Sequence, residues 1–128
     1  MLNKSGIVKT DYATPKHILA DLNLQFSVGC LVPTSVGGNA TTVKAGTPIH
    51  VDLNNINTAC KKVDNSTVFA NAVLLHDVDL SHGQANGTAL IFGFVDLNKV
   101  DTTTQTSLKT ALSNASATKL ITLVNYNG

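Results

Sequence analysis

The segment from Ala72 to Val100, AVLLHDVDLSHGQANGTALIFGFVDLNKV, constrains the fold more than any other part of the chain, because two apolar runs flank a short polar stretch rich in turn residues. The first run, Ala72 to Val78, ends in alternating Asp and apolar residues, and the second, Thr88 to Val95, is β-branched and aromatic. Such side chains suit a pleated, buried or half-buried surface, so both runs read as strands. Between them lies Ser81 to Gly87. Asn86-Gly87 adopts positive φ at little cost, which predicts a reversal at that dipeptide and a second strand returning beside the first. Nothing in this unit is equipped for bond-breaking.

The remaining elements extend the β reading. Leu24 to Val32 alternates, with Phe26, Val28 and Cys30 on one expected face, and Pro33 closes the strand. Thr34 to Thr42 carries Ser35, Gly37, Gly38 and Asn39 and reads as a surface loop. A bend is expected at Gly46, followed by a strand that starts after Pro48 or runs along an edge, since proline lacks an amide donor. Residues 54 to 67 are polar and Asn-rich, which suits a loop across the end of a sheet. Asp101 to Thr104 supplies candidate N-caps, and Leu108, Ala111, Leu112 and Ala115 fall at helical spacing, predicting one helix; Lys119 to Tyr126 is a last strand. The expected class is therefore mainly β with one short α-helix near the C-terminus. Residues 1–24 mix polar and apolar positions without a sustained period and are broken by Pro15, so they are expected to form an extended N-terminal arm. Residues 25–128 then form a single β-rich domain.

Composition narrows the function. A chain of 128 residues is long enough to withdraw roughly two-thirds of its unfolded surface from water. Charged residues make up only 13%, against about a quarter in an average protein, so Asn and Thr must carry solubility and the surface is suited to packing against other proteins. Net charge is +1 and Lys61-Lys62 is the only adjacent basic pair, which gives phosphate-neutralising nucleic-acid binding little support. The N-terminus has no apolar signal core, and no run approaches the roughly 18 apolar residues of a membrane span. A soluble protein made in a cytoplasm is expected, and Asn-x-Ser/Thr triplets such as those at Asn39 and Asn65 then reflect the Asn/Thr bias. Cys30 and Cys60 are too few for a disulfide framework and lack a ligand-like spacing, so the plainest reading is a pair of small buried thiols.

His76 and His82, with Asp77 and Asp79 nearby, are the right types for a zinc or iron site. In a strand, however, His76 faces away from Asp77 and Asp79, and His82 falls in the turn, so no metal site is expected. Asp77, Asp79, Asp96 and Asp101 could act as paired carboxylates or a calcium cage, but aspartates at strand ends more often accept hydrogen bonds from turn amides. The glycines of Gly83 to Gly87 lack the Lys-Ser/Thr of a phosphate loop. The residues therefore point to no catalytic group, no cofactor and no enzyme, a small hydrolase being the least favoured reading.

Lys44-Ala45-Gly46-Thr47-Pro48-Ile49, then Ala72 to Asp79, then Gly87 to Leu97, taken in that order, resemble the head decoration proteins of tailed bacteriophages, the lambda decoration protein group. The resemblance covers roughly residues 43 to 98. It implies a small β-sandwich or barrel-like domain that trimerises on the outside of an icosahedral capsid, binds the major capsid protein after shell expansion and reinforces the head. Such a protein would be synthesised in the host bacterial cytoplasm and reside on the virion exterior, with neither nucleic acid nor membrane as partner. The arm at residues 1–24 is the counterpart of the segment that orders against the shell in that family. Ile7, Val8 and Tyr12 are its expected capsid contacts, because apolar groups in a non-periodic terminal segment need a partner surface. A receptor- or glycan-binding fibre or adhesin module is the alternative, since β-rich, Thr/Asn-rich trimers also fill that role.

Overall fold

Val73, Leu75 and Leu90 pack into one hydrophobic cluster while Ala72, Leu74, Ala89 and Ile91 pack into another. Successive side chains on a strand point to opposite faces, so this division means that the central strands are covered on both sides. It also explains why AVLL and ALIF are continuous apolar runs where a half-solvated strand would alternate. The computed structural model describes residues 25–38, 40–55 and 57–125.

The elements are β1 (Phe26–Val32), a single helical turn α1 (Thr34–Gly37), β2 (Thr42–Val43), β3 (Pro48–His50), β4 (Lys61–Lys62), β5 (Ala72–Leu74), β6 (Val78–Asp79), β7 (Ala85–Asp96), α2 (Thr102–Ser113) and β8 (Ile121–Val124), with a 3₁₀ turn at Leu97–Lys99 before α2. Six strands form the main sheet in the order β1-β7-β5-β3-β4, with β8 beside the far half of β7; β2 and β6 form a separate ribbon. All pairings are antiparallel except β7 with β8, which α2 makes possible by carrying the chain back to a parallel start. The mainly β class with one substantial helix near the C-terminus is what the structure has.

Two layers close over the sheet. Val43 and Val78 of the ribbon, with Val36 of α1 and Leu80, share a cluster with Val32, Ile49, Leu74 and Ala89, and this is the sandwich-like half of the molecule. On the opposite face Leu108 of α2, with Ala45 and Val100, covers Val73, Leu90, Val95 and Ile121. The link from β7 into α2 is held by Gln105, whose Nε2 donates to the carbonyls of Leu97 (2.6 Å) and Val100 (3.0 Å). Leu108 and Ala111 are buried as their spacing predicts, whereas Ala115 lies beyond the helix end and is exposed.

Three local expectations are corrected. The reversal before β7 is not at Asn86-Gly87: these residues lie inside β7 opposite Leu31 and Cys30, and the chain turns earlier, at Gly83, whose φ is 103° and whose N–H donates to the Leu80 carbonyl at 3.0 Å. Gly87 is required for close approach, since a Cβ there would stand 3.1 Å from both Val32 Cγ2 and Val78 Cγ2. Phe26 opens β1 where an extra residue of β7, Ile91, shifts the register by one, and its ring is exposed. Pro48 begins β3 but β3 is interior, flanked by β5 and β4; the missing amide is tolerated because it falls at the first position. Finally, the Asn-rich stretch 54–67 contains β4, paired through Ile49 with Lys62 and His50 with Lys61. The bend at Gly46 is present, with φ of 96° and its N–H donating to the Leu74 carbonyl at 2.8 Å.

Candidate functional site

Of the four aspartates that attract a catalytic reading, Asp77, Asp79 and Asp96 hold turns, while Asp101 stands at the N-cap of α2 without a side-chain capping hydrogen bond. Asp77 Oδ1 accepts from the Ala45 N–H at 2.8 Å, joining the bend before β3 to the end of β5. Asp79 accepts from the Ser81 N–H at 2.9 Å, and this bond, followed by one from the Ser81 hydroxyl, lowers its pKa. Asp96 is buried at the end of β7 and accepts from the Asn98 N–H at 3.0 Å, capping the 3₁₀ turn. Asp64 accepts from the N–H groups of Ser66, Thr67 and Val68, each at 2.8 Å, and from the Thr67 hydroxyl at 2.8 Å. Its carboxyl is held well below the usual range, the Val68 amide contributing most, then Ser66 and Thr67.

Of the histidines, His82 lies near Asp79 and its charge adds to the lowering of that carboxyl's pKa. His50 Nδ1 pairs with the Phe69 carbonyl at 2.9 Å, and His76 Nδ1 is buried without a hydrogen-bond partner. Among the described residues no group of three or more His, Cys, Asp or Glu side chains is placed to hold a metal ion. No helix among them is long and apolar enough to cross a membrane.

Cys30 and Cys60, thirty positions apart, are brought together. Cys30 lies on β1 opposite Gly87, and the Cys60 N–H donates to the Leu31 carbonyl at 2.9 Å, which seats the second cysteine against the end of β1. Both are free and buried, and their thiols hydrogen-bond one another. That bond lowers the Cys30 pKa, since the Cys60 S–H stabilises a Cys30 thiolate; burial works against it and the Gly87 N–H assists it. The same bond pushes Cys60 up, reinforced by burial and by the charge on Cys30. Sequence spacing carried no signal of this meeting.

Four large apolar side chains are exposed among the described residues: Leu53, in the loop after β3, and Phe26, Phe92 and Leu120. Phe26 and Phe92 face each other across β1 and β7, with 57% and 38% of their surface exposed. Leu120, also exposed, adjoins them, because its carbonyl accepts from the N–H of Gly93 at 3.3 Å. The Phe26–Phe92 pair and Leu120, which immediately precedes β8, thus place three exposed apolar side chains on neighbouring segments, and apolar patches of this kind mark interaction surfaces. Ile7, Val8 and Tyr12 lie outside the described residues, in the segment that enters the domain through Gln25 and Phe26. Comparison with protein-family models and with curated proteins finds no match to this chain.

Proposed function

We propose that the protein is a bacteriophage head decoration protein, which binds the outer capsid surface as a trimer and stabilises the expanded shell. The observation that carries this reading is the Phe26, Phe92 and Leu120 patch at the root of the N-terminal arm. Ile7, Val8 and Tyr12 precede this patch in the chain, and in this reading both they and the patch contribute to shell contact. The sparsely charged chain and the resemblance over residues 43 to 98 support the same assignment. Many symmetry-related copies, each with a modest interface, add up to strong retention on a shell. The major capsid protein is the partner in this reading, and the virion exterior is the location.

Adding purified protein to expanded capsids that lack it should give saturable binding at an occupancy set by the icosahedral symmetry. Absence of binding rejects the proposal. A variant lacking residues 1–14 should fold and bind poorly, and full binding by that variant rejects the arm as anchor. The exposed aromatic pair also supports the alternative of a receptor- or glycan-binding module, because sugar faces stack on exposed rings. Binding of the isolated trimer to cells or glycans, abolished by Phe92→Ser while capsid binding is unaffected, would establish that role in its place.

A further inference from the structure

Among the described residues the two cysteines form a cluster of nucleophilic side chains that neither the turns nor the apolar patch accounts for. They are asymmetric in two independent ways. Cys30 borders a surface concavity of about 310 Å³, together with Gly29, Leu31, Asn57, Asn86 and Gly87, whereas Cys60 does not line it and is only 2% exposed. Its walls mix the Asn57 and Asn86 side chains with Leu31 and two glycines, on the edge strand β1, the adjacent β7 and the 51–60 loop. The second asymmetry is protonation: the shared hydrogen bond favours thiolate on Cys30 and thiol on Cys60. Reactive cysteines combine thiolate character with access, and of this buried pair Cys30, 6% exposed, is the one that both features favour.

We propose that Cys30 and Cys60 are a thiol–disulfide exchange site for a hydrophilic low-molecular-weight disulfide, in which Cys30 attacks and Cys60 resolves. The Cys30 thiolate attacks one sulfur of the small disulfide; its S–S bond breaks and one small thiolate leaves, taking a proton from water. In the resulting mixed disulfide Cys30 no longer carries charge, so two of the influences that hold the proton on Cys60 disappear and burial alone remains. Cys60 then releases its proton to water and attacks Cys30 Sγ, and the second small thiol departs and is protonated. Two protein thiols are oxidised by two electrons, and one small disulfide becomes two thiols. The product ties the edge strand β1 to the residue that precedes β4. This site is independent of the capsid reading and stands or falls separately from it.

The test is exposure of the full-length reduced protein, in native buffer, to glutathione disulfide, followed by intact mass and thiol counting. The expected product has lost two thiols and two hydrogens and retains no glutathione. Cys60→Ser should accumulate a single glutathione adduct on Cys30, and Cys30→Ser should react at least tenfold more slowly. Far-ultraviolet circular dichroism confirms that each variant is folded. Native wild-type protein whose thiols stay reduced, while the urea-unfolded chain reacts, overturns the proposal, as does stable adduct without ring closure. Equal rates for the two variants overturn the assignment of attacking and resolving roles, and in a variant that does not fold, the order of alkylation of the two thiols in native wild type decides the same point.

Discussion

Three glycines separate backbone strain from steric crowding, and substituting each by alanine should give a graded loss of stability. At Gly83 the φ of 103° is unfavourable for any residue with a Cβ, but nothing lies within 4 Å of where that atom would sit. Gly83→Ala therefore measures strain alone, about 1–2 kcal/mol. Gly87 sits inside β7 without a positive φ, yet its Cβ would meet Val32 Cγ2 and Val78 Cγ2 at 3.1 Å and Leu74 Cδ2 at 3.4 Å. Gly87→Ala therefore measures crowding alone, about 1–2 kcal/mol, near the lower end of overpacking costs. Gly46 combines the two: φ is 96°, and the Cβ would approach Val100 Cγ1 to 2.8 Å and Thr104 Cγ2 to 3.4 Å. Gly46→Ala should cost about 3 kcal/mol, the sum of the separate effects. With a urea m-value on the order of 2 kcal/mol/M, its unfolding midpoint should fall by about 1.5 M. Gly29→Ala, on the open edge strand with no neighbour within 4 Å, should stay within about 0.5 kcal/mol of wild type. Equilibrium urea unfolding followed by circular dichroism reads all four. If Gly46→Ala loses no more than Gly83→Ala, Val100 is not the barrier the geometry makes it, and the tight seat of α2 against the Gly46 bend is refuted.

Other outcomes follow from single features. Leu90→Ala, at a fully buried position beneath α2, should cost about 2–5 kcal/mol in the same urea assay, and a cost below 1 kcal/mol would show that the α2 face is not a close-packed core. The folded-state pKa of Asp64 is depressed, so its stabilising contribution is present above the ordinary carboxylate value near 3.8 and is lost as pH falls below it. The stability gap between wild type and Asp64→Asn should accordingly be wider at pH 7 than at pH 3, and a gap independent of pH would contradict the amide cradle. Oxidation of Cys30 with Cys60 closes a loop of roughly 30 residues and should raise unfolding stability by up to about 3.5 kcal/mol on the chain-entropy account, read as a higher urea midpoint that dithiothreitol reverses.

What was legible in the chain is what local pattern decides. The helix from Thr102 to Ser113 follows from Leu108 and Ala111 at helical spacing behind an Asp-Thr start, and it needs no knowledge of its neighbours. The apolar runs from Ala72 and Thr88 become strands because both of their faces are buried. Asn86-Gly87 misleads because permissive φ and absence of a side chain are the same property of glycine: the sequence reads as a turn, while the structure uses the empty space to pack Val32, Val78 and Leu74. The exposure of Phe26 is likewise unmarked in the alternation, since the register shift beside it arises from an extra residue, Ile91, on the partner strand.

The chain alone thus determined a mainly β domain, its C-terminal helix and the scarcity of charge, all of them sums over neighbouring residues. Only the tertiary structure decided which surfaces exist. The Phe26, Phe92 and Leu120 patch requires β1, β7 and the start of β8 to lie side by side. The pairing of Cys30 with Cys60 rests on the Cys60 amide meeting the Leu31 carbonyl across thirty positions of chain. Contacts of that kind are set by strand register, which depends on the whole packed sheet and is encoded in no segment by itself.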